Sequence, residues 1–109
     1  MIGRIPEAVV PDLPADAVVL DVREDDEWQA GHAVGAVHIP MTELAERLDD
    51  VPEGDPLYVI CRSGGRSARV AAYLNANGWD AVNVVGGMGA WQAAGRPMAA
   101  DGGRVPEVI

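Results

Sequence analysis

The sequence predicts a three-layer α/β domain with a central parallel sheet flanked by helices. Two observations carry that prediction: short apolar runs rich in β-branched residues alternate with helical patterns along the chain, and the connections are long enough to cross over between parallel strands. A third bounds it. With 109 residues there is room for one core, so residues 1–109 are expected to form a single domain.

The elements follow in order. "AVVLDV" (17–22) reads as a buried strand. "EDDEWQAGH" places acids in a helix first turn and Gly31 at its stop. "AVHIP" (36–40) is a short strand closed by Pro40, and "MTELAERLDDV" (41–51) a helix with Thr42 as N-cap and Leu44 and Leu48 on one face. "PEGDP" is a turn before "LYVIC" (57–61), the strongest strand of the chain. "RSARVAAYLNANG" (66–78) is a helix whose Val70, Tyr73 and Leu74 share a face and whose Gly78 caps the end. "DAVNVV" (80–85) is a strand, and "GGMGAWQAAG" (86–95) holds a short helix ended by Gly95. The core is expected over about residues 4–98. In the tail, 99–109, "RVPEVI" echoes "RIPEAVV" (4–10), which leaves two readings open: edge strands with proline at the rim, the two ends lying side by side, or a chance echo.

Composition narrows the function. Apolar residues make up 49% of the chain, the share of an ordinary globular protein. No apolar run approaches the ~20 residues that span a bilayer, and the start carries no apolar segment of signal-peptide type, so a cytoplasmic protein is expected. The formal charge is −9, from 17 acids and 8 basic residues that are all arginine, which disfavours nucleic acid and anionic membrane as partners. His32, His38 and one cysteine match no zinc spacing, so no metal is expected; the histidines read as structural, and Trp28, Trp79 and Trp91 as core or rim packing, with Trp91 bordering the mouth of the site.

In such an acidic chain, "CRSGGRS" (61–67) gathers Arg62 and Arg66 around the single thiol, Cys61. The segment joins a strand to a helix, at the carboxyl edge where open α/β sheets bind ligands. It contains no proline, so every N–H can donate, and Gly64 and Gly65 allow a tight turn that aims successive amides inward as an anion nest. The following helix adds its positive end. A thiol so placed is expected to ionise in the range of about 3.5–7.5 and to act as a nucleophile. The loop is C-x4-R, one residue shorter than the C-x5-R of cysteine phosphatases, so its cradle suits a single sulfur atom better than a phosphoryl group. With no second cysteine, anything taken up by Cys61 leaves to an external molecule.

Three ordered segments resemble the rhodanese family of sulfurtransferases: the loop "CRSGGRS", "LDVREDDEWQAGHAVGAVHIP" (20–40), in which Ala33 replaces the usual isoleucine, and "VVGGMGAWQAAGRP" (84–97). The resemblance implies a rhodanese-like domain with a parallel sheet of about five strands. It implies transfer of a sulfane sulfur from thiosulfate or a similar small anionic donor, through a Cys61 persulfide, to cyanide, a cellular thiol or a sulfur-accepting protein, with no cofactor. It also implies an Asp21–Arg62 ion pair that fixes the loop, the alternative for Asp21 being an N-cap. Arg23 and Glu27, four apart, are expected to pair. Arg66 is expected to meet an incoming oxyanion or to point to solvent. Ser63 and Ser67 are expected to donate to the persulfide, Ser67 also capping the helix. Two other readings stay open: a cysteine phosphatase or arsenate reductase of the same fold, and a non-enzymatic persulfide carrier or redox-sensing module.

Overall fold

A computed structural model describes residues 5–109. Five parallel strands form the central sheet: β1 (Glu7–Val9), β2 (Val18–Asp21), β4 (Val37–His38), β5 (Leu57–Ile60) and β6 (Ala81–Val85), in the order β1-β6-β5-β2-β4. Helices α1 (Asp25–Ala30), α2 (Gly65–Ala76) and α3 (Gly87–Ala93) connect and cover them. Register pairs Val59 of β5 with Leu20 on one side and Asn83 on the other.

Strand alternation divides the core into two layers. Leu57, Val59 and Cys61 point to one face, where they pack with Leu20, Leu44, Val70, Ala71 and Leu74. Ile60 points to the opposite face, with Val19, Val84, Met88 and Trp91. One consequence positions the site: continuing the odd-numbered face of β5 by one residue brings Cys61 beneath α2.

Four expectations are corrected. Residues Met41–Asp50 form 3₁₀ turns broken at Arg47 (φ −122°, ψ 30°), with Pro40 rather than Thr42 before the first turn. Arg47 there pairs with both Glu43 and Asp50. The tail forms no edge strand over 104–109. Met98–Ala99 (β7) instead pairs antiparallel with His32–Ala33 (β3), and the chain beyond crosses α1's end, where the Glu107 N–H donates to the Ala30 carbonyl at 2.9 Å. Pro106 has no N–H to extend a ladder, and Val108 packs into the second core layer. The two echoing segments therefore do not lie side by side: β1 pairs with β6. Residue 4 of the first echo lies outside the described residues. Among the described residues no helix is long and apolar enough to cross a membrane.

Candidate active site

Cys61 leaves β5 into a loop that returns at α2. Gly64, at φ +110°, is the residue before the helix, a left-handed conformation open to glycine at little expense. That turn aims its own N–H at the sulfur, 3.1 Å from Cys61 Sγ. The Ser67 hydroxyl lies 3.2 Å from the same atom. Burial pushes the Cys61 thiol up. The Ser67 hydroxyl and the N–H groups of Ser67, Gly64 and Ser63 outweigh it and hold the thiol below its ordinary value. Cys61 is only 1% exposed, but Arg62, Ser63 and Gly65 around it are exposed, so the sulfur sits just under the loop surface.

The loop's carbonyls are occupied from outside. Met88 N–H donates to the Cys61 carbonyl at 2.8 Å and Gly89 N–H to the Arg62 carbonyl at 3.1 Å. Both donors belong to the first turn of α3, which abuts the loop because Gly87 has no Cβ: one built there would collide with the Cys61 and Arg62 carbonyl groups. With its carbonyls held outward, the loop keeps its amides turned to the sulfur.

The ion pairs differ from expectation. Asp21 does not pair with Arg62. Asp21 and Arg23, both fully buried, form their own pair, with Arg23 Nη2 2.8 Å and Nε 3.0–3.1 Å from the carboxylate, and the Arg23 N–H also donating to Asp21. Two residues apart, they meet with little loop to close, and the buried carboxylate is satisfied locally. Arg23 Nη2 also holds the Gly31 carbonyl, while Nη1 has no partner among the described residues. Asp21 is not the N-cap of α1 either; Glu24 holds that place, its N–H donating to Glu27. Arg62 turns away and donates through Nε to the Ile109 carbonyl at 2.9 Å.

Glu27 therefore pairs not with Arg23 but with Arg66, in a two-pronged contact of 2.7 and 2.8 Å. The Arg66 guanidinium holds the Glu27 carboxyl below its usual range, and Glu27 in turn raises Arg66. Arg66 thus neither points to solvent nor stands as an unpaired oxyanion receptor. The pair links α1 to the first turn of α2 and leaves its charge close enough to act on Cys61.

Ser67 does not cap α2. It lies inside the first turn, fully buried, and its hydroxyl reaches Asn83 Oδ1 at 2.6 Å as well as the sulfur. Sequence reasoning missed Asn83, although one polar residue inside the apolar run "AVNVV" was the available signal. His32 and His38 each stack on Trp28, with ring centroids 3.7 and 4.7 Å from it and planes 5° from parallel, and each histidine holds a backbone carbonyl. Trp91 does not border the loop; it packs in the second core layer and donates to the Pro97 carbonyl.

Comparison with known proteins gives a consistent picture. A family model described as "Rhodanese-like domain" matches residues 3–94. The Bacillus subtilis protein "Putative sulfurtransferase YtwF" is 42% identical over 72% of this chain and 77% of its own length. "Thiosulfate sulfurtransferase GlpE" of Actinobacillus succinogenes is 38% identical over 76% of each chain. The crystal structure of a rhodanese-related protein from Thermoplasma volcanium superposes with a TM-score of 0.81 at 31% identity, covering 88% of this chain and 99% of that one.

Proposed function

The chain belongs to the rhodanese-like domain family, and from that premise we propose that it is a sulfurtransferase whose Cys61 carries a sulfane sulfur from thiosulfate or a similar anionic donor to cyanide or a thiol. The observation that supports this most is the convergence on one sulfur atom of the Gly64 N–H at 3.1 Å and the Ser67 hydroxyl at 3.2 Å, in a loop whose donors hold the thiol below its ordinary value. That donor set is sized to a single anionic atom.

In the first step the Cys61 thiolate attacks the outer sulfur of thiosulfate. A Cys–S–S⁻ persulfide forms, the donor's S–S bond breaks, and sulfite leaves with the bonding electrons, so the total charge is unchanged. In the second step cyanide attacks the outer sulfur, thiocyanate leaves, and Cys61 returns as thiolate. The loop amides stabilise negative sulfur in both steps. Arg62, exposed and seen bonded to a carbonyl, is the cation we assign to the donor's sulfonate oxygens; Arg66, held by Glu27, positions the start of α2. Asp21 and Arg23 support the floor beneath the loop from the adjacent strand.

Intact mass spectrometry after incubation with thiosulfate tests the reading. The expected result is a gain of one sulfur atom that cyanide removes and that Cys61→Ala does not show. Failure to gain sulfur, together with Cys61-dependent turnover of p-nitrophenyl phosphate, would transfer the site to phosphoryl chemistry.

A further inference from the structure

Asn83 is 3% exposed and stands in the middle of β6. Alternation with the buried Ala81 turns it toward α2. Its Nδ2 donates to the Gly64 carbonyl at 3.2 Å, and this fixes the amide's orientation, since only the nitrogen has protons to give. Its Oδ1 therefore faces the Ser67 hydroxyl at 2.6 Å, and that same hydroxyl lies 3.2 Å from Cys61 Sγ. A hydroxyl has one proton. Two acceptors contend for it.

We propose that Asn83 is a positioning residue that acts on Cys61 through Ser67, by competing with the sulfur for the single hydroxyl proton. With Cys61 as a thiol, every group is satisfied: the S–H donates to Ser67 Oγ, and the hydroxyl donates to Asn83. On ionisation the thiol proton leaves to solvent, while the hydroxyl keeps its own proton and rotates to the thiolate. Asn83 Oδ1, buried, is then left without its donor, so ionising the sulfur unsatisfies an acceptor one residue away. The competition sets a floor under the fall in thiol pKa that burial opposes and the loop donors drive. Such a floor is useful, because a thiolate stabilised too far loses nucleophilicity.

The other groups facing the sulfur do not take this part. Arg66 from α2 carries the charge that acts on Cys61 and is held by Glu27 from α1. Arg62 on the loop is turned to Ile109. The Gly64 amide is a backbone donor to the sulfur at 3.1 Å, with no hydroxyl rotor to turn. The inference concerns the ionisation of Cys61 and stands whichever substrate that sulfur attacks.

The pH dependence of Cys61 alkylation by iodoacetamide, on the full chain, tests it without recourse to sulfur transfer. Ser67→Ala should raise the midpoint. Asn83→Val should lower it by about one unit, a tenfold change in ionisation constant corresponding to about 1.4 kcal/mol. In Ser67→Ala/Asn83→Val the Asn83 effect should vanish. A raised midpoint in Asn83→Val, or a lowering that persists without the hydroxyl, would assign Asn83 to anchoring the Gly64 carbonyl alone and overturn the proposal. Wild-type protein supplies a second measurement that depends on no substitution at Asn83. The Asn83 side-chain amide NMR signals should titrate with the Cys61 midpoint and cease to do so in Ser67→Ala; signals that stay constant through the wild-type midpoint overturn the proposal equally.

Discussion

Two strand-to-helix junctions lie side by side at the carboxyl edge of the sheet, and both turn on paired glycines. The β5–α2 junction passes through Gly64 at φ +110°, the β6–α3 junction through Gly86 at φ +79° and Gly87 at φ +54°. Both open a helix, but only one keeps its donors. The first amides of α3 are taken by the Cys61 and Arg62 carbonyls, whereas the Gly64 amide at the first junction is given to a sulfur atom. A glycine pair before a helix is therefore not in itself an anion site; what makes one is a neighbouring element that occupies the loop's carbonyls and leaves its amides facing inward. The second junction serves as that element.

Breaking the comparison at its centre has the largest effect. Cys61→Ala should abolish cyanide-dependent thiocyanate production while thermal unfolding stays cooperative; activity retained at any pH would show that the amides serve some other group. In the intact protein, alkylation should follow a midpoint below that of an ordinary thiol. The sign of the linked stability follows from the lowered pKa. Relative to Cys61→Ala, the wild type's gain is full above the unfolded thiol's pKa and is lost as pH falls through the lower folded value. Denaturation of both proteins across that window checks the direction.

The supporting junction should be the more fragile under a single methyl. In Gly87→Ala the new Cβ meets the Cys61 and Arg62 backbone, and the residue is also held at φ +54°. Left-handed strain of about 1–2 kcal/mol and overpacking of about 1–3 kcal/mol should together destabilise by roughly 2–5 kcal/mol. In Gly64→Ala only the strain applies, since the new methyl makes ordinary contacts of 3.6 Å and beyond, so about 1–2 kcal/mol is expected. Urea denaturation of the two variants gives the ranking; equal losses would mean that α3 does not brace the loop.

This asymmetry also explains what was legible in the sequence. The cysteine loop could be read because its parts are contiguous: an apolar strand, a thiol, two glycines and a helix follow one another within residues 57–76. The order of strands and helices was legible for the same reason, as each is a local pattern. The pairing of arginines was not. Asp21 was matched with Arg62 and Glu27 with Arg23, but the pairs that form, Asp21–Arg23 and Glu27–Arg66, depend on how α1 approaches α2, which no local pattern encodes. Residues 41–50 carried a helical apolar spacing, but spacing does not register the non-helical backbone at Arg47 that interrupts the run. The tail's echo of the N-terminus allowed a strand pair among its readings, yet β6 offers its edge to β1 and the tail docks beside Ala30.

A smaller effect is expected where α1 meets the first junction. The Arg66 guanidinium depresses Glu27, so the pair stabilises the fold above the ordinary carboxylate range and is lost as pH falls through the folded Glu27 value. Both side chains retain some exposure, which limits the contribution to about 1 kcal/mol. Glu27→Gln should therefore lie below wild type at neutral pH and converge with it in acid. A difference that persists below the folded value would mean that the variant perturbs packing rather than charge.

The smallest change separates the two glycines of the loop itself. Gly65 follows the left-handed Gly64, yet its own φ is not positive and no atom lies within 4 Å of a Cβ built there. It is the first residue of α2, where alanine is favoured over glycine. Gly65→Ala should accordingly stabilise the protein slightly, by about 0.5 kcal/mol, opposite in sign to the same change one residue earlier. Equilibrium denaturation of Gly64→Ala and Gly65→Ala measured side by side decides it. Destabilisation by both would mean that the loop requires glycine at each position to seat its amides; opposite signs would confine the conformational demand to the one residue that turns the chain back over the sulfur.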